Sequence, residues 1–186
     1  KQIIIGGIVG GITLFAWGFF SWAAMDWHHA TVRSHDGVDA VVENIEDHLP
    51  ESGVYYFPPM TFERGDNEAM EAWMESHRTK PHGMIFYKTN LGDPTPPMRL
   101  VRGFFADIIA SMMATILLVM ALPSLSGYWS KVLYVLSLGV FAILSIHIVN
   151  AVFHDMPVSW TLGVSLDVTA SWLLVGLVLG GIIKSK

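Results

Sequence analysis

The chain predicts a mainly α-helical membrane protein, with four transmembrane helices and a small α/β extracytoplasmic insert between the first and the second. Three observations lead there. Of 186 residues, 52% are hydrophobic and only 15% are charged. The apolar residues gather in blocks of membrane-crossing length rather than spreading through the chain as in a soluble domain. A single long polar stretch, residues 26–98, separates the first block from the other three. The expected division is therefore a first span at 1–25, the insert at 26–98, and spans two to four within 99–186.

Residues 3–24 (IIIGGIVGGITLFAWGFFSWAA) carry no charge. A helix of this length rises about 1.5 Å per residue and crosses a hydrocarbon core of roughly 30 Å. A cleaved signal peptide is the rival reading, since a basic start and the small residues Ser21 and Ala23 are present. The length favours a retained anchor. Spans two to four are read at residues 100–122, 132–153 and 160–183.

The insert holds thirteen Asp and Glu against five Lys and Arg. Val38, Val41, Val42, Ile45 and Leu49 follow helical spacing, with Asp36 placed to cap the start and Pro50 to end the run. Gly53–Phe57 (GVYYF) reads as a strand. Met70, Trp73, Met74 and His77 mark a second helix, after which Gly83–Tyr87 (GMIFY) reads as a second strand. PESGVYYF and KPHGMIFY thus echo one another. Two strands joined through a helix predict a parallel pair with a right-handed crossover. A core so small calls for support from the membrane surface or another protein.

Four spans place both termini on one side. Lys1, Lys131, Lys184 and Lys186 fall there, and by the positive-inside tendency that side is cytoplasmic. Arg99 and Arg102 oppose this, but they flank a long translocated segment, where the tendency is weak. The expectation is N-in and C-in, with residues 26–98 outside.

Composition also excludes functions. No cysteine is present, so disulfides and thiolate metal sites are ruled out. No basic run follows a phosphate backbone, so nucleic acid is not an expected partner. Walker, G-x-S-x-G, H-E-x-x-H and Rossmann patterns are absent, and GGIVGG lies inside a span where it cannot cradle phosphate.

Gly6 and Gly10 in the first span, and Gly176 and Gly180 in the fourth, form small-xxx-small patterns that predict close packing of these two spans. Lipid-facing glycine and a self-dimer through the first span are the alternatives. Trp17, Trp22, Trp27, Trp129, Trp160 and Tyr128 mostly fall near span ends and read as an interfacial aromatic belt.

Polar residues inside spans carry the functional expectations, because intramembrane ionisable groups are costly and usually mark function. His147, Asn150 and His154 share one helix face at about 100° per residue. Asp107, Ser111 and Thr115 form a stripe in span two, and Asp167 and Ser171 in span four. Asp107, His147 and Asp167 all lie roughly 7–11 Å below the outer interface, counting about 1.5 Å per residue. They predict one shared site. Its uses would be a transition-metal or haem site with ligands His147, His154, Asp107 and Asp167 and Asn150 behind them, a proton path, or a hydrogen-bonded structural clamp. Weaker candidates are His28, His29 and His35 where span one leaves the membrane, and Met70, Met74 and His77 as soft copper ligands. Solvated interfacial histidines and an apolar packing face explain those two groups as well.

With the spans, PESGVYYFPP and SGYWSKVLYV in view, the layout resembles small four-span bacterial inner-membrane proteins. The resemblance implies a multi-pass location in that membrane; it brings no activity and transfers no functional residue. The leading expectation is a non-catalytic accessory or assembly subunit of a larger membrane complex. A metal- or haem-binding protein in electron transfer or copper handling comes second, and a small proton-coupled transporter third.

Overall fold

The computed structural model describes residues 1–89, 92–93 and 95–184. Lys186, used above for topology, lies outside them. In chain order the elements are α1 (Gln2–Ala24), α2 (Trp27–Thr31), α3 (Val38–His48), β1 (Gly53–Phe57), α4 (Asn67–Thr79), β2 (Gly83–Tyr87), α5 (Pro97–Ala121), α6 (Gly127–Ala142), α7 (Val149–Phe153) and α8 (Val158–Ile182). A 3₁₀ turn, Leu122–Ser124, ends α5, and a π-helical segment, Ile143–Ile148, joins α6 to α7. Among the described residues four helices are long and apolar enough to cross a membrane: α1, α5 with its 3₁₀ turn, α6 through α7, and α8. The chain forms two compact units, residues 1–33 with 94–186, and residues 34–93.

In the helical unit, α1 packs between α5 and α8, and α8 packs between α1 and α6. Neighbours run antiparallel. Gly6 lies against Thr115 and Phe15 against Phe104, so α1 and α5 pass in opposite directions. The core sits near the end where α1 begins and α8 finishes: Leu118, Val135, Val175, Leu179 and Ile183 are fully buried there. At that end Gln2 Nε2 donates to the Lys184 carbonyl (3.2 Å), and Lys131 Nζ donates to the Ile183 carbonyl (2.7 Å). The lysine neutralises the partial negative charge on the last turn of α8. The outward faces stay apolar, with Phe19, Ile109, Met120, Leu133, Phe141 and Val152 exposed. Lipid accepts such a surface and water does not.

The spans that carry the two glycine pairs do pack together, and a β-carbon at Gly10 would stand 3.5 Å from Val175 Cγ1 of α8, but the tightest contacts of each pair lie elsewhere. Gly6 and Gly10 seat α5, through Thr115 and Ser111, whereas Gly176 and Gly180 seat α6, through Val132 and Tyr128. The closest backbone approach is at Gly11, where a β-carbon would stand 2.6 Å from Ile108 Cα. Gly6 thus serves α5, Gly10 sits where α1 meets both α5 and α8, and Gly176 and Gly180 serve α6.

The smaller unit contains α3, α4 and a two-stranded sheet. β1 and β2 pair antiparallel, with Gly53 opposite Tyr87 and Phe57 opposite Gly83. This corrects the expected parallel crossover. The loop at 58–66 and the short link after α4 bring the second strand back in the reverse direction. Asp36 does not cap α3: Gly37 occupies the N-cap, and its N–H donates to His35 Nδ1 (3.0 Å). Asp66 does cap α4, accepting from Ala69 N–H at 3.0 Å. Trp73 anchors α4 by donating from its indole to the Pro58 carbonyl (3.2 Å) and by packing on Phe62.

Candidate functional site

The most concentrated polar chemistry in the helical unit is where α1 meets α2. Helix α1 stops at Ala24, Met25 adopts an extended conformation, and the chain re-enters a helix at Trp27. This reversal brings His28 back beside Ser21, with Ser21 Oγ 2.8 Å from His28 Nε2. From α8, the carboxylate of Asp167 reaches the same point: Ser21 Oγ donates to Asp167 Oδ1 at 2.6 Å. Trp17 Nε1–H donates to the same oxygen at 2.9 Å, and Trp27 Nε1–H donates to Ser21 Oγ at 3.1 Å.

Counting hydrogens assigns the roles. Ser21 has one proton, directed at Asp167, and two lone pairs, of which Trp27 uses one. The remaining lone pair must accept from His28, so Nε2 carries hydrogen. Trp22 stacks on the imidazole with 3.9 Å between centroids and 9° between planes. Ser21 is 0% and His28 3% exposed. Thr31 Oγ1 donates to the His28 carbonyl (2.8 Å), and its methyl group packs on Gly163 of α8, where a β-carbon would stand 2.8 Å away. Short α2 is thereby locked to both α1 and α8. Residues 26–33, expected as the start of the insert, belong to the helical unit for this reason.

Serine, histidine and aspartate are the residue types of a hydrolytic triad, but the order here is different. In such a triad imidazole lies between hydroxyl and carboxylate, with the carboxylate on the far ring nitrogen. Here the hydroxyl is in the middle, and the nearer nitrogen, His28 Nε2, is 3.9 Å from Asp167 Oδ1. Ser21 is also sealed from any substrate. What this arrangement does is tie three chain segments through one hydroxyl, with every bond directed inward.

The expected shared site is not assembled. Among the described residues no hydrogen bond or ion pair links Asp107, His147 and Asp167, and no three of Asp107, His147, His154 and Asp167 bring their ligand atoms within 4.8 Å of one another. The reason is rotational. At about 100° per residue, Asp167 lies within about 40° of Gly163, on the face towards α1 and α2. Trp172, Gly176 and Gly180, which meet α6, lie about 140–180° away from Asp167 on α8.

The His147 stripe is broken by its backbone. His147 belongs to the π-helical segment, Asn150 to α7, and His154 is past the helix end, so uniform spacing does not apply. His154 is the C-cap, Asp155 takes a left-handed conformation (φ 49°), and Met156 N–H donates to the Ala151 carbonyl (3.2 Å). That is a Schellman-type stop. In the second stripe, Ser111 and Thr115 are buried towards α1, and Ser111 Oγ donates to the Gly6 carbonyl (3.1 Å). Asp107 instead lines a shallow groove with Phe15, Gly18, Phe19, Trp22, Ala23 and Leu100.

Of the weaker candidates, His28 is in the buried cluster, His29 is exposed, and His35 serves the turn before α3. His77 stacks on His82 (centroids 4.1 Å apart) and packs on Trp73 (5.2 Å); Met70 is exposed and Met74 half-buried on the same helix. Ser21 belongs to this cluster without a sequence motif to mark it, and Trp17 and Trp27, expected in the aromatic belt, donate their indole N–H groups within it. The available signal was that Trp17 and Ser21 stand four apart, sharing a face near the depth of Asp167. No protein-family model, no curated protein and no solved structure matches the chain.

Proposed function

We propose that the protein is a non-catalytic integral membrane protein, an accessory or assembly subunit of a larger complex. In this reading the four long helices lie in a bacterial inner membrane, with N- and C-termini inside and the acidic unit outside. The observation that carries it is how the interior polar groups are used. Ser21, His28, Asp167, Ser111 and Lys131 each direct a hydrogen bond to a neighbouring segment of the same unit rather than into a cavity. Such groups hold helices together. The outward surfaces, by contrast, remain apolar and available. In the acidic unit Val54, Tyr56 and Phe86 are on one face of the sheet and are 53%, 50% and 72% exposed. A two-stranded sheet with an open apolar face is a surface for a partner.

The test is purification of the tagged protein from its native membrane in mild detergent. A stoichiometric assembly with other membrane polypeptides is the expected result. A lone monomer retaining none of them would refute the reading.

A further inference from the structure

Asp107 presents chemistry that the bundle does not use. It lies ten residues into α5, about 15 Å from Pro97 along the axis. Among the described residues its carboxyl makes no hydrogen bond and no ion pair. Its companions in the stripe, Ser111 and Thr115, are buried against α1, while Asp107 opens into the groove between α1 and α5. The rest of that groove is apolar and aromatic, and its rim is open: Phe19 is 65%, Trp22 51% and Leu100 57% exposed. Gly18 lines it, and Gly103 stands four residues before Asp107 on the same face of α5. A β-carbon added at either glycine meets nothing within 4 Å. These two glycines serve no contact inside the unit, unlike Gly6, Gly10 and Gly11.

We propose that this groove seats a transmembrane helix of a partner polypeptide that carries one lysine or arginine at the depth of Asp107. The inference rests on the accessory-subunit reading and names the partner's chemistry. Charge complementarity selects the occupant. A carboxylate beside hydrocarbon is costly unless it is paired, and aromatic faces around it favour a cation further. A partner helix supplies both the apolar surface and the charge, and the two glycines let its backbone come close. A second copy of this chain fits less well, since the cations it offers at this end, Arg102 and Arg99, lie about 7.5 and 12 Å along α5 from the depth of Asp107. Its long helices hold no lysine or arginine except Arg99 and Arg102 near the start of α5 and Lys131 near the start of α6, at the other end of the bundle.

The test uses the purified full chain, donor-labelled, in phosphatidylcholine vesicles with an acceptor-labelled leucine-rich transmembrane peptide. The peptide carries one lysine about two turns from an end, or leucine or glutamate at that position. Expected is energy transfer with the lysine peptide that needs roughly tenfold more peptide after Asp107→Asn, and no more than background transfer with the other two peptides. Asp107 holds no bond in the bundle, so the variant keeps its fold; Gly18→Leu, which fills the groove, gives the same loss independently. Equal transfer for wild type and Asp107→Asn overturns the proposal. So does transfer between protein copies that ignores the peptide, or displacement of the lysine peptide by phosphatidylethanolamine, which assigns the carboxylate to a lipid amine. If the native assembly purifies while the peptide does not bind, this inference falls and the accessory-subunit reading stands.

Discussion

The hydroxyl of Ser21 and the carboxylate of Asp167 stand 2.6 Å apart, although 146 residues separate them in the chain. That bond joins α1 to α8, and through His28 it also fixes α2. Removing the acceptor should therefore do more than lose one contact. Asp167→Leu leaves the Ser21 hydroxyl and the Trp17 indole N–H without an acceptor, and the expected loss is about 1–3 kcal/mol. Asp167→Asn, which keeps one oxygen, should lose less. Unfolding of the purified protein by SDS titration in mild detergent measures both, and unchanged stability of Asp167→Leu would contradict the assignment.

Coupling separates the observed cluster from the layer expected from depth alone. A double-mutant cycle between Ser21→Ala and Asp167→Asn should show about 0.5–1.5 kcal/mol of interaction. His147→Leu combined with Asp167→Asn should be additive within about 0.5 kcal/mol. The same titration reads both cycles, and strong coupling of His147 to Asp167 would restore the shared layer.

Glycine substitutions should rank by backbone proximity. Gly11→Ala drives a β-carbon to 2.6 Å from Ile108 Cα, an atom that cannot rotate away, so the α1–α5 seam must open. Overpacking of this kind costs about 1–3 kcal/mol. Gly18→Ala meets nothing and should be neutral or slightly stabilising. Thermal midpoints of the two variants in one detergent give the comparison.

The turn after α7 should tolerate Asp155→Asn and resist Asp155→Val. Asp155 holds φ 49°, a conformation that asparagine adopts readily and a β-branched residue does not. The valine variant should lose about 1–2 kcal/mol. Faster hydrogen exchange at the Met156 amide, which closes the turn, would report it locally.

In the acidic unit, Trp73→Ala removes the bond to the Pro58 carbonyl and the packing on Phe62 and His77. A loss of about 2 kcal/mol is expected, somewhat below the figure for a fully buried tryptophan. Amides of α4 should then exchange faster while those of α1 and α8 are unchanged, since the two units are separately compact.

The sequence by itself determined the four long apolar helices, the intervening unit and the kind of each element in it. These follow from run length, hydropathy and local signals such as Pro50 after α3, all properties of short stretches. It also marked Asp107, Asp167 and His28 as residues needing an explanation. Only the tertiary structure decided what they meet. Depth along an axis is countable from sequence, but the face a helix turns to each neighbour depends on packing across distant segments. Asp167 therefore went to Ser21 rather than His147, and the tightest contacts of the α1 glycines went to α5. Two local irregularities completed the change: the break at Met25 that folds His28 back, and the π-helical segment that takes His147 out of its stripe. Strand direction was hidden for a similar reason, since antiparallel and parallel pairs share the same alternation and differ only in how the connection returns.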